Sequence, residues 1–280
     1  MLTADQLRSA APRRRSVPSL QLQFQEYLTS RIEAFKNSLS REELLRLGDE
    51  AFGEMETASE EQFVLTEMLM ADVVDRLIAK RLQLPSYKKW RQQILAVRAA
   101  QRLPTHWGID PAGPVGSLVP RLEPGDEVLI IGPGVESAAY LFAAVDVAVT
   151  FVHEDIGCVE RVESRMASES LGTMFTAWVV QAGAWYAAFE RPWAVVIVDL
   201  GALGEADTLA RMTLLERLAS VSAPACVHVL VPGGGLAPEA VRGCYAGWRE
   251  DELIRNRRYG RSAGLALTKS ENAAAEELEG

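Results

Sequence analysis

The residues best suited to chemistry begin with Val128-Leu-Ile-Ile-Gly-Pro-Gly134, a short apolar run that ends in a Gly-x-Gly turn and leads into a helical pattern. Glycines at such a turn let the backbone approach a ligand closely, and the free amides of a helix start favour anionic or polar groups. About 20 residues further on, Glu154 and Asp155 close the next apolar run. A carboxylate at that place accepts hydrogen bonds from both hydroxyls of a ribose. The combination points to a bound nucleoside cofactor. A dinucleotide is disfavoured, because its Gly-x-Gly-x-x-Gly fingerprint needs glycine at 137 and the chain has Ser137.

Other chemistries lack their residues. Cys158, Cys226 and Cys244 are odd in number and show no Cys-x-x-Cys spacing, and His106, His153 and His228 are scattered. Neither a disulfide framework nor a metal site is expected. With 29 basic against 38 acidic residues the net charge is −9, so a nucleic-acid partner gains little from phosphate neutralisation. Arg13-Arg14-Arg15 reads as a solvated terminal segment. No apolar run reaches the roughly 18 residues of a membrane span, and MLTADQLRSAAP lacks the order of a secretory signal. A reduced, cytoplasmic protein is expected, with no membrane partner. Of its 280 residues 48% are hydrophobic, enough for an ordinary core.

The elements that must position these residues change character near 104. Before it the pattern is helical. Phe24, Leu28, Ile32 and Phe35 recur at three-to-four spacing. Ser40-Arg-Glu-Glu43 and Ser59-Glu-Glu-Gln62 read as capping boxes, in which hydroxyl and acid or amide each satisfy a free amide. The second box precedes Phe63, Leu65, Met68, Leu69, Val73, Leu77 and Ile78; Pro85 ends that helix and Ser86 caps the next. Four helices are predicted. Five prolines between 103 and 124 then stop any helix.

Beyond this joint strands and helices alternate. Strands are predicted at 127–131, 147–152, 174–180, 194–198 and 225–231, and helices from 134 to about 145, over 160–167 and over 208–221. Alternation of this kind argues a parallel sheet covered on both faces. Two further strands, 252–258 and 264–268, close the sheet as a hairpin. The organisation is therefore a helical part, 1–103, a sheet domain, 104–270, and a disordered acidic tail, 271–280.

Residues 105–270 resemble the class I S-adenosylmethionine (SAM) methyltransferase fold, a Rossmann-like α/β sheet, mostly parallel, with a C-terminal antiparallel hairpin. The matching pieces are VLIIGPG, the acid after TFVH, Gln181-Ala182, VVIVDL, and VPGG before the hairpin. The resemblance implies that Gly132, Pro133 and Gly134 border the methionine part of SAM and that Glu154, beside Asp155, takes the ribose. It further implies that Gln181 and Ala182 meet the adenine amine and that Asp199-Leu200 faces the reacting end. The family's third glycine is absent, replaced within Val135-Glu136-Ser137.

SAM has three electrophilic carbons on sulfur, and the fold alone does not choose among them. Asp199-Leu-Gly-Ala-Leu-Gly204 offers little beyond Asp199 as a base. It is similar to the apolar segment of nicotianamine and staphylopine synthases, which join a helical part to a SAM fold and use the aminobutyrate arm; azetidine-2-carboxylate synthases are a further branch. The resemblance thus implies a small-molecule enzyme working on that arm, by ring closure of SAM itself to methylthioadenosine and a cyclic amino acid or by aminocarboxypropyl transfer. Methyl transfer to a small molecule is the alternative, and an inactive interaction subunit a third. Tyr140, which follows the turn, and Trp178, Trp185, Tyr186 and Trp193 are candidates for holding the sulfonium by cation–π attraction, against a reading as core aromatics. In the helical part Glu67, Tyr87 and Trp90 are lid candidates. Its apolar stripes serve an interface with the sheet domain or with a second copy in a homodimer.

Overall fold

The computed structural model describes residues 18–58, 66–171, 174–181, 185–186, 189–201, 208–231, 238–250 and 265–270. The chain divides into two compact units, one of Ser16–Val97 and one carrying Arg98–Gly280. The first contains helices α1 (Leu20–Ser38), α2 (Arg41–Ala58) and α3 (Thr66–Arg81), and most of α4 (Tyr87–Gln101). Ser19 caps α1 by accepting from Leu22 N–H at 3.2 Å. The predicted box before α2 is present: Ser40 N–H donates to Glu43 Oε2 at 2.7 Å and Glu43 N–H to Ser40 Oγ at 3.3 Å. Bonds from Ser40 hold the Glu43 carboxyl below its usual range. The box proposed at 59–62 lies outside the described residues. Ile32, Leu47, Ala51, Leu77 and Ile78 form this unit's core. Asp75 of α3 is half-buried and pairs with Lys36 at 2.8 Å.

The second unit is built on a seven-stranded sheet in the order β3-β2-β1-β4-β5-β7-β6. Its strands are β1 (Glu127–Ile131), β2 (Ala148–His153), β3 (Phe175–Val179), β4 (Val195–Asp199), β5 (Val227–Val231), β6 (Trp248–Glu250) and β7 (Leu265–Lys269). The first five are parallel, and β7 is antiparallel to both β5 and β6. The mostly parallel, hairpin-closed sheet expected above is thus present. The described part of the hairpin's first strand is Trp248–Glu250; the predicted strand 252–258 and the tail 271–280 lie outside the described residues.

Alternation along the strands explains the two layers. Val128, Ile130, Val149, Phe151, Val195 and Ile197 face α5 (Glu136–Ala144) and α6 (Ile156–Ser168), where Phe142, Val162 and Met166 bury against them. Leu129, Ile131, Val152, Val196 and Val198 face the other way, onto Leu214, Leu215 and Leu218 of α7 (Thr208–Val221). A side-chain period of two sends alternate residues to opposite faces, so nearly unbroken apolar strands are what a doubly covered sheet needs. The short helix α8 (Pro238–Gly243) precedes β6.

A polar cluster sits inside the second layer, where His228 of β5 is fully buried. Ser222 Oγ donates to Leu218 O at 2.5 Å, so it accepts from His228 Nε2 at 2.7 Å, and Nδ1 in turn accepts from the Tyr245 hydroxyl at 3.0 Å. Beside it, Lys269 Nζ donates to the carbonyls of Ala219, Ser220 and Ser222 at 3.2, 3.2 and 3.0 Å. The ammonium thereby satisfies the otherwise unpaired end of α7 and favours its dipole. Burial, with a smaller contribution from Lys269, pushes the imidazole down from 6.5 to about 3. A neutral imidazole in the fold must take up a proton on unfolding below its ordinary pKa. Stability is therefore expected to be complete above pH 6.5 and to fall as pH drops toward 3, by up to about 1.4 kcal/mol per unit. Urea titrations at pH 7 and 5 check this; His228→Gln is expected to flatten the slope over that interval, and an unchanged slope would contradict it.

Candidate functional site

The strand order reverses at β1, since β2 lies on one side of it and β4 on the other. Ligands of open α/β sheets bind in the crevice at the carboxyl ends of the strands where this happens. The Gly-x-Gly turn follows β1, and Asp199 is the last residue of β4. Gly132 has φ +108°, a conformation that a side chain disfavours, and its N–H donates to Val152 O at 3.1 Å. Pro133 opens a one-turn 3-10 helix, Pro133–Val135, that feeds α5.

Gly134 N–H donates to Asp199 Oδ2 at 3.0 Å, while Asp199 Oδ1 accepts from Gly201 N–H at 2.8 Å. A Cβ at 134 would lie 2.5 Å from Asp199 Oδ2. The carboxylate therefore ties the turn after β1 to the turn after β4, with each oxygen on a backbone amide. Only a residue without a side chain leaves room for that tie.

On the other side of β1, the end of β2 folds into α6 through two local bonds. Asp155 N–H donates to His153 Nδ1 at 2.9 Å, and Asp155 Oδ1 caps α6 by accepting from Gly157 N–H at 2.9 Å. Of the two acids at this strand end, Asp155 is thus engaged as a helix cap, while Glu154 is exposed between β2 and α6. Glu136, the first residue of α5, is half-buried; the Cys158 thiol in the first turn of α6 donates to its Oε1 at 3.6 Å. Burial, and then the Glu136 charge, raise the Cys158 thiol above its usual range. Carboxylates thus gather at the ends of β1, β2 and β4. Arg161 is a cation near them, beside Gly157.

The remaining candidates separate. Gln181 is exposed after β3, and its N–H donates to the Tyr186 hydroxyl at 3.1 Å; Ala182 lies outside the described residues. Leu200 is buried in the α7-side layer, with its N–H on Val231 O at 3.0 Å. Tyr140, one turn along α5, packs its ring on Trp107 at 5.3 Å under the Arg165 guanidinium at 5.6 Å, and burial raises its phenol. Trp193 is fully buried and bonded to Phe189 O at 2.8 Å; Trp178, Trp185 and Tyr186 surround the Phe189 ring. Enclosure of this kind makes Trp193 a core aromatic.

In the helical unit Tyr87 and Trp90 pack on Phe24, each with ring centroids 5.3 Å away. Glu67 belongs to α3. Sequence reasoning missed His153 and Phe189, whose roles depend on a strand end and a loop folding back. A His-x-Asp spacing before a helix is the one signal that points to the first. Among the described residues no group of three or more His, Cys, Asp and Glu gathers around a metal position, and no helix is long and apolar enough to cross a membrane.

No protein-family model matches the chain, and no curated protein matches its sequence. Several solved structures are similar to it. The N-methyltransferase NodS from Bradyrhizobium japonicum is 15% identical over 52% of this chain and 86% of its own, with a TM-score of 0.42. The glycopeptide N-methyltransferase MtfA, complexed with S-adenosyl-L-homocysteine, is 14% identical over 57% and 90%, TM-score 0.42. A TehB-like SAM-dependent methyltransferase from Corynebacterium glutamicum is 12% identical over 65% and 97%, TM-score 0.46.

The tie between Gly134 and Asp199 gives a direct test. Gly134→Ala is expected to cost about 1–2 kcal/mol, the range of a strained contact plus a lost charged hydrogen bond. Because the clash is with Asp199, the cost is expected to fall below about 0.5 kcal/mol when Asp199→Ala is already present. Equal costs in the two backgrounds, read from urea denaturation, would show that the carboxylate does not hold the turn.

Proposed function

We propose that the chain is a SAM-dependent small-molecule enzyme that works on the aminobutyrate arm of SAM, with SAM's own amine as the nucleophile. The observation that carries this reading is the Gly134–Asp199 tie at the sheet's reversal point. It leaves a bare backbone at the head of α5, as a ligand with a polar amino-acid end requires, and it sets Glu154 one strand away, at the end of β2. The residues fit such a ligand. Gly132, Pro133 and Gly134 would take the amino-acid end, Glu154 the ribose hydroxyls, and Gln181 the adenine side.

When bound, SAM supplies an electrophilic sulfonium: the bond from amine to γ-carbon forms as the γ-carbon–sulfur bond breaks, giving azetidine-2-carboxylate and methylthioadenosine, with the amine's proton lost to water. Asp199 supports this choice over transfer to an added acceptor. Both its oxygens serve backbone amides, so it holds the turn and is poorly placed to deprotonate a second substrate. An α-amine, with an ordinary pKa near 8, is already partly neutral and does not need a protein base. The Tyr140 phenol, raised by burial, stays protonated and supports the helix layer.

Incubating the pure protein with SAM alone is expected to release methylthioadenosine and the cyclic amino acid, measured by mass spectrometry. Turnover only after an acceptor is added would replace ring closure by transfer, and absence of SAM binding in calorimetry would overturn the reading. Glu154→Ala is expected to weaken SAM binding by about 1–3 kcal/mol. Unchanged affinity would remove Glu154 from the ribose.

A further inference from the structure

Glu136 lies within Val135-Glu136-Ser137, the stretch that stands where the resembling family carries its third glycine, and the reaction proposed above does not use it. An acidic residue in the first turn of a helix offsets the helix dipole, which would make Glu136 a stabilising surface charge. Its placement goes further. The side chain is half-buried and reaches from the first turn of α5 to Cys158 in the first turn of α6. Cys158 N–H in turn donates to Asp155 O at 3.1 Å, so the contact sits at the root of the segment that carries Glu154. A ligand held by the glycine turn at one end and by Glu154 at the other would span the ends of β1 and β2, the neighbouring strands that lead into these two helices. Asp155 caps α6 and Asp199 holds the turn, each by accepting from backbone amides, whereas the bond Glu136 accepts is the longer one from a thiol, at 3.6 Å. The Arg161 guanidinium lies beside Gly157, 3.7 Å from where a Cβ there would sit.

We propose that Glu136 is a specificity-determining residue that reads ligand charge, favouring the sulfonium over the uncharged thioethers left by its reaction. The inference rests on the SAM reading. It holds whichever carbon reacts, because S-adenosylhomocysteine and methylthioadenosine both lack the positive sulfur. Such a preference speeds release of product, where a neutral site would retain it.

Calorimetry with SAM and S-adenosylhomocysteine tests it, since the two share every polar group and differ by one methyl and one charge. The wild type is expected to bind SAM about tenfold more tightly, with the gap narrowing at high ionic strength. Glu136→Gln is expected to cost SAM about tenfold and to change S-adenosylhomocysteine by less than about twofold, while Glu136→Asp keeps the preference. Circular dichroism confirms that each variant is folded. Equal losses for both ligands, or an unchanged preference in Glu136→Gln, would reduce Glu136 to a structural charge. Wild-type binding of SAM without preference overturns this inference alone; binding of neither ligand overturns the SAM reading and this inference with it.

Discussion

A single charged hydrogen bond organises the head of the sheet. Gly134 N–H on Asp199 Oδ2 joins the turn after β1 to the end of β4, two strands that are neighbours in space and 65 residues apart in sequence. The bond constrains both partners. Position 134 must be glycine because a Cβ would meet the carboxylate, and Asp199 must keep both oxygens for amides. An acid at the end of the fourth strand looks like a catalytic base in isolation. Here both of its oxygens accept from backbone amides, those of Gly134 and Gly201.

The same economy recurs at the end of β2. Glu154 and Asp155 are adjacent acids of one charge, yet one caps α6 and the other faces outward. The difference comes from the chain's turn, which His153 holds by accepting from the Asp155 amide. Two neighbouring carboxylates therefore take different places, one as a helix cap and one exposed, with no difference in intrinsic chemistry. Beneath them, the apolar layers on both sheet faces give the loops a rigid base. The Lys269 and His228 contacts extend that base to the antiparallel edge, where β7 is pinned to the end of α7.

Much of this was legible in the chain. Strand β1 matches Glu127–Ile131 and α7 matches Thr208–Val221 residue for residue with expectation. In both, apolar periodicity is local information. The capping box at Ser40 and Glu43 is local in the same sense. Boundaries moved where a cap overrode the apolar pattern. Helix α6 begins at Ile156, four residues before the expected start, because Asp155 caps it. The aromatic residues could not be sorted from sequence. Trp193 and Tyr140 have side chains that suit a cation or a core equally; burial against Phe189 makes Trp193 core, while Tyr140 packs on Trp107 and meets a guanidinium, that of Arg165.

The sequence by itself determined the element order, the glycine turn, the acid at the next strand end and the doubly covered sheet. Each follows from spacing along a few neighbouring residues. Only the tertiary structure decided that Asp199 reaches Gly134, that Asp155 rather than Glu154 is consumed as a cap, and that Glu136 lies against Cys158. Hydrogen bonds between residues far apart in the chain depend on where strands place their ends. No pattern within one segment encodes that placement.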